Sequence, residues 1–224
     1  MLQKDIICLA NSIKLNNRCV AGKDINNYQW VRPVSDTTHG ELSEEQIKFT
    51  NNEEPNLLDI IRINFKSKSP KYYQPENHII TDKKWHKIGP FPEDKLDDIC
   101  DKPETIWTNS NPDTQRISLA YFKTNSISSS LLLIKANSLK IERSNFGEKK
   151  KYRAIFVYND TEYNLPITDP KIRKEFESKP PGTYPINDKK IYLCLSIGEP
   201  FQPLDSSEES YCYKLVAAII RVKK

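Results

Sequence analysis

Apolar and polar residues alternate over short runs along most of this chain, and few stretches carry the 3.6-residue period of a long helix. Residues 5–10 read as a buried strand. Residues 18–21, with Gly22 behind them, read as a second. The turn at Asn26-Asn27 uses two residues that tolerate left-handed backbone angles, and residues 28–34 follow as a third strand. Ser43-Glu44-Glu45-Gln46 has capping-box spacing, so a short helix is expected to about Phe49, with strand again over 57–65. Beyond Ser69 the pattern is broken by Pro70, Pro75, Pro90, Pro92, Pro103 and Pro112, and only 93–100 reads as a helical turn or two. The Ser-rich stretch 124–130 has no apolar periodicity. A domain boundary is placed there, giving 1–128 with a Pro-rich insertion and 129–224 as a second domain.

The second half is more regular. Residues 131–142 are β-rich with a kink near Asn137, 152–158 form a strand, and Asn159-Asp160 turns the chain into 162–167. Thr168-Asp169-Pro170 supplies an N-cap and a first-turn proline for a short helix over 171–177, stopped by Pro180-Pro181-Gly182. Residues 191–197 and 213–222 complete five strands. Three strands, a helix and two more strands is the order of the OB-fold, a five-stranded barrel whose sheet face and loops bind oligonucleotides. The first half repeats that order as far as its fourth strand, and its fifth is unassigned. The expected fold is mainly β, with two tandem OB-like small barrels and short helices.

That architecture singles out candidate binding residues. Alternation puts Tyr28, Trp30 and Arg32 on one strand face, which suits base stacking and phosphate pairing; the competing reading is a barrel core capped by Arg32. Lys14 and Arg18 flank the loop joining the first two strands, where an OB groove would be bordered. Cys19 is the competing candidate there, as a nucleophile, but no histidine stands near it in sequence. Tyr72, Tyr73, Gln74 and Asn77 combine stacking rings with amides, or else form a buried strap. Lys149, Lys151 and Arg153 share a basic strip, which on a hairpin is commonly a solvated surface. Tyr213 and Lys214 open the last strand on opposite faces, so one of them is expected to face a ligand.

Composition narrows the classes. The 224 residues are 37% hydrophobic and 29% charged, with 34 basic against 30 acidic side chains, a net +4. That balance excludes a polyelectrolyte tail and gives only weak support to a nucleic-acid partner. Five cysteines without a CxxC pair, and three scattered histidines, lack zinc-site spacing, so no cofactor is expected. Free thiols in apolar runs suit a reducing cytoplasm. No signal peptide or membrane-length apolar run is recognised.

Taken together, Cys8-Leu9-Ala10-Asn11-Ser12, Arg18-Cys19-Val20-Ala21-Gly22, Trp30-Val31-Arg32-Pro33-Val34-Ser35, Tyr73-Gln74-Pro75-Glu76-Asn77, Thr168-Asp169-Pro170, Ser196-Ile197-Gly198-Glu199-Pro200-Phe201 and Tyr211-Cys212-Tyr213-Lys214-Leu215-Val216 resemble the prokaryotic dual OB-containing domain family. The resemblance implies two OB-like barrels and a nucleic-acid or nucleotide ligand, and no established enzymatic activity. Glu76, Asp169 and Glu199 are the carboxylates an enzyme would have to gather, but no motif has catalytic spacing. The expected function is a module binding RNA or single-stranded DNA. The alternatives are a small-nucleotide sensor or a protein-interaction scaffold.

Overall fold

The computed structural model describes residues 2–108, 115–202 and 210–222. By backbone contact the chain divides into one unit up to Ile99 together with Ser129–Leu131, and a second formed by Cys100–Ser128 and Leu132–Lys224. The sequence reading placed its boundary at 128/129. Contact grouping changes at 99/100, with 129–131 returning to the first unit. Segment 100–128 groups with the second unit, where Ile106 joins the core and the Tyr158 hydroxyl donates to the Pro103 carbonyl at 2.7 Å.

The first unit comprises β1 (Leu2–Lys14), β2 (Asn17–Asp24), β3 (Trp30–Val34), α1 (Glu44–Ile47), β4 (Asp59–Lys68), β5 (Asn77–Ile80) and β6 (His86–Pro90). Its strands follow the circuit β1-β2-β3-β5-β4 and close because β4 pairs back onto β1 over Leu2–Ile7. The β3–β5 seam is parallel and the other pairings are antiparallel, as an OB barrel requires. β5 is the fifth strand that the proline-broken pattern concealed. β6 lies outside the circuit, along the stretch of β4 that β5 leaves unpaired.

Local chemistry explains the bends. Leu15 and Asn16 both have positive φ (48° and 64°), the two-residue turn whose twist matches a hairpin. The β1–β2 ladder skips a residue between Cys8 and Ala10, and opposite it a Cβ on Gly22 would lie 2.1 Å from the Ile7 carbonyl oxygen. Only glycine permits that approach, which coils the strands tightly enough to close. Ser43 caps α1 with both capping-box bonds present. Ile6, Val20, Val31, Ile61, Ile63 and Phe65 fill the interior with Leu42 and Ile47, so α1 packs its apolar face on this core.

The second unit runs β7 (Arg116–Ser118), α2 (Leu119–Thr124), β8 (Leu131–Ala136), β9 (Ser138–Phe146), β10 (Lys149–Tyr158), β11 (Thr161–Pro166), α3 (Pro170–Glu175), β12 (Gly182–Ile186), β13 (Lys190–Phe201) and β14 (Tyr211–Val222). β8 and β9 are one bent strand interrupted at Asn137, serving two sheets ordered β11-β10-β9-β12 and β7-β14-β13-β8. The far seam is a single parallel bridge, Ile167 to Val216, so this unit is a half-barrel sheet arrangement and not a fully laddered barrel. Asn159 and Asp160 form the predicted turn with φ of 45° and 60°. Asp169 caps α3 through Lys171 and Ile172, while its second oxygen accepts from the Ile219 amide, pinning the helix to β14. Phe156 and Tyr163 stack at 5.5 Å in the core. Among the described residues no helix is long and apolar enough to cross a membrane.

Candidate functional site

Alternation along β3 sends Val31 into the barrel interior, so Trp30 and Arg32 lie on the outer face. That face is covered. Trp30 is 9% exposed, with the Lys23 ammonium 5.2 Å from its ring and itself donating to the Ile99 carbonyl at 2.7 Å. Arg32 is 3% exposed, its Nε donating to Glu76 Oε1 at 3.0 Å, Nη2 to Ser130 Oγ at 2.7 Å, and Nη1 to Cys19 Sγ at 3.3 Å. The Glu76 carboxylate also accepts from the Ser130 amide at 3.0 Å and from its hydroxyl. Burial alone would weaken the hold of Arg32 on its proton, but Cys19 and Glu76 more than compensate, and its pKa lies above the usual arginine value. This is a buried, fully engaged ion pair. The predicted stripe is not one surface, because Tyr28 precedes the strand in a turn with φ of 56° and is exposed, whereas Trp30 and Arg32 are enclosed.

The loop between β4 and β5 tightens at Lys71 and Gln74, whose backbones exchange both hydrogen bonds around Tyr72-Tyr73. Tyr73 is buried, and Tyr72 is exposed, edge-on to it at 5.0 Å. Gln74 and Asn77 are buried, and the Asn77 amide donates to Gln74 Oε1 at 3.4 Å. Lys14 donates to the His39 carbonyl. Arg18 pairs with Glu44 at 3.3 Å and Glu54 at 3.1 Å, so its charge is locally balanced.

In the second unit, β14 separates its faces as alternation predicts. Cys212, Lys214 and Val216 are fully buried; Tyr211, Tyr213 and Leu215 are half-exposed. The Lys214 ammonium is spent inside, donating to the Thr108 carbonyl at 2.7 Å and lying 5.7 Å from the Tyr163 ring. On the outer face the Arg116 guanidinium sits 4.2 Å over the Tyr211 ring, and exposed Phe201 lies 6.3 Å from Tyr213. Register explains the cluster: Tyr211 opposes Phe201 on β13, and Tyr213 opposes Arg116 on β7. Gly198 sits beneath, where a Cβ would be 3.4 Å from the Tyr213 carbonyl oxygen. Arg116 was missed in the sequence because it stands in the proline-broken segment. Tyr211 and Phe201 were visible only as the flanks of a loop.

The basic strip divides similarly. The Lys151 ammonium lies 3.7 Å over exposed Phe146, while Arg153 is half-buried, donating through Nε to Asn164 Oδ1 at 2.6 Å and through Nη2 to Gln115. Burial lowers the Arg153 pKa from the usual arginine value, with Glu142 opposing.

The remaining reactive groups are occupied structurally. Burial, reinforced by Glu199, pushes the Cys212 thiol up to about 12, so it stays neutral and packs as a small apolar group. Asp169 caps a helix and Glu76 holds Arg32 and Ser130. Among the described residues no three His, Cys, Asp or Glu side chains are grouped to hold a metal. An open cleft of about 610 Å³ in the first unit is lined by Asp36, Glu45, Asp82, Lys66, Lys83 and Lys84, among others. Its opposed charges, with Lys84 bonded to Glu45, favour no ligand of one sign.

A closed barrel with a parallel third-to-fifth seam, followed by a second, half-barrel sheet system, defines a tandem OB-type module. The chain matches the model of the dual OB-containing domain family over residues 4–219 and belongs to that family. No curated protein and no solved structure matches it.

Proposed function

We propose that this protein is a non-catalytic, nucleic-acid-binding module that holds an extended single strand of RNA or DNA on the outer face of β7, β14 and β13. The supporting observation is the cluster of Arg116 over Tyr211 with Tyr213 and Phe201 beside it. Three rings on one sheet face offer flat surfaces to successive bases, and a guanidinium among them adds attraction for phosphate and for a base. Bases within a duplex have no free faces, so the arrangement suits a single strand. Phe146 under Lys151 is a second ring-and-cation pair, on the β9–β10 hairpin. The family resemblance and the OB architecture favour the same reading, and the five free cysteines suit a reducing cytoplasm.

The test is fluorescence anisotropy with a labelled, mixed-sequence oligonucleotide and the full chain. Alanine at a stacking ring costs about 1–3 kcal/mol per base. Tyr211→Ala with Tyr213→Ala should therefore weaken binding by at least roughly tenfold, while phenylalanine at both positions should preserve it. Unchanged affinity in the double alanine variant would exclude this surface.

A further inference from the structure

We infer that the second unit holds a binding site for a phosphate monoester dianion, with Arg143 on the inner face of β9 as its principal cation and Arg173 of α3 as the second. Burial alternates along β9, so Leu139, Ile141 and Arg143 share the face turned to the core. Arg143 is 7% exposed, and its Nε is buried without a hydrogen-bond acceptor. Among the described residues its guanidinium finds no ion pair, hydrogen bond or ring contact. The other buried lysines and arginine there are engaged: Lys23 and Lys214 donate to backbone carbonyls, and Arg32 donates to Glu76. A guanidinium keeps its charge inside a protein, so burial leaves Arg143 cationic and in need of an anion.

The neighbours of Arg143 leave room for one. In register, Tyr152 opposes it on β10 and Gly182 opposes it on β12. Directly opposed residues point to the same side of a sheet, so the glycine leaves the space of a side chain beside the guanidinium. A Cβ on Gly182 would touch nothing nearer than the Tyr184 hydroxyl at 3.6 Å. Arg173 approaches Tyr152 from α3: its Nε donates to the Ile167 carbonyl at 2.7 Å, and the Ile167 amide donates to the Tyr152 carbonyl at 2.9 Å. Burial lowers the Arg173 pKa from the usual arginine value, with Tyr152 and Asp169 opposing. The acids of α3 and its flanks are committed elsewhere. Asp169 accepts from three backbone amides, Glu175 pairs with Arg221 at 2.6 Å, and Glu177 pairs with Lys150 at 3.7 Å.

Two guanidinium groups without a carboxylate between them match two negative charges, and their donor forks fit the oxygens of a phosphate. A phosphate monoester carries nearly two charges near neutrality and ends in three acceptor oxygens, so it can enter an enclosed site end-on. A phosphodiester carries one charge and a substituent on either side, which the burial of Arg143 excludes. The shared chemistry is a terminal phosphate, supplied as inorganic phosphate or on a small phosphorylated molecule. This site uses none of the residues of the β14 face and stands or falls separately from it.

Isothermal titration calorimetry of the full chain with inorganic phosphate, glycerol 3-phosphate and dimethyl phosphate tests the inference. Inorganic phosphate should bind, and the diester should bind at least roughly tenfold more weakly. Arg143→Met should weaken phosphate binding at least roughly tenfold, through the loss of hydrogen bonds to a charged group. In phosphate-free chloride buffer the same variant should unfold in urea at or above the wild-type midpoint, because it removes a buried charge that has no partner. Should it unfold early instead, Gly182→Val decides the same question: it keeps both cations, fills the space beside Arg143 and should also weaken binding. Glycerol 3-phosphate binding as tightly as inorganic phosphate or more so identifies an esterified ligand; weaker binding identifies free phosphate. The Tyr211→Ala/Tyr213→Ala variant should bind phosphate as wild type does, which separates this site from the β14 face. No phosphate binding by the wild type, affinity unchanged by both Arg143→Met and Gly182→Val, or a diester bound as tightly as phosphate overturns the assignment.

Discussion

Two sheet faces in this molecule bring aromatic rings and a guanidinium together, and they have opposite fates. On β3, Trp30 and Arg32 are enclosed by Lys23, Glu76 and Ser130. On β14, Tyr211 and Tyr213 remain half-exposed beside Arg116 and Phe201. The residue types are nearly the same. What differs is the electrostatic neighbourhood: the β3 guanidinium meets a carboxylate delivered from 44 positions away and a serine from 98. The β14 ring meets a guanidinium from a neighbouring strand. An aromatic-basic stripe is therefore a platform only where distant segments leave it uncovered.

The sharpest way to break this contrast is through stability. Arg32→Ala should cost about 3–5 kcal/mol in urea unfolding, because it strands the Glu76 carboxylate in the interior. Replacing the pair together, Arg32→Met with Glu76→Leu, should recover part of that loss, since no charge is left alone. If Arg32→Ala unfolds like wild type yet loses oligonucleotide binding, the two faces have been assigned the wrong way round. On β14 the order should reverse, with the tyrosine substitutions moving affinity and leaving the unfolding midpoint nearly untouched.

A smaller effect sharpens the electrostatic side. If Arg116 meets a phosphate, Arg116→Ala should reduce the slope of log affinity against log salt by about 0.7 for a single-stranded ligand. Anisotropy titrations across a salt series measure this directly. An unchanged slope would confine Arg116 to holding Tyr211.

The smallest expected effects are on pH dependence, and again the two units differ in sign. Burial acts to raise the Asp24 pKa, but hydrogen bonds from Lys4 and Asn26 outweigh it, leaving it below the usual 3.8. Its stabilisation is present above pH 3.8 and is lost as pH falls through the lowered folded value. Lys4→Ala should cost about 1 kcal/mol near neutrality, and the difference should shrink in acid. Burial raises the Asp169 pKa, only partly opposed by the amides of Ile219, Ile172 and Lys171. Its contribution is full below pH 3.8 and is lost as pH rises through the raised value. Relative to wild type, Asp169→Asn should therefore become more favourable with rising pH in chemical denaturation.

Much of the fold was legible in the residues. The Asn159-Asp160 turn, the Ser43 capping box and the Asp169-Pro170 helix start are local devices, decided by neighbours a few positions apart, whereas the Leu15-Asn16 turn was read only as part of a polar loop. The short strand β5 was not legible, because Pro75 and the buried polar residues Asn77 and His78 hide its period, and its parallel pairing to β3 is a long-range event. The candidate site followed the same division. Tyr213 was read from alternation, whereas Arg116 and Phe201 join it only through cross-strand register.

By itself, then, the sequence determined the longer strands and the two capped helices, the caps, the Asn159-Asp160 turn and the alternation of faces along those strands, since each depends on backbone geometry over a few bonds. The tertiary structure decided which of those faces stay open. Covering a face takes groups far apart in the chain, and whether Arg32 would find Glu76, or Tyr211 would find Arg116, depends on how the barrels close and not on the spacing along either strand.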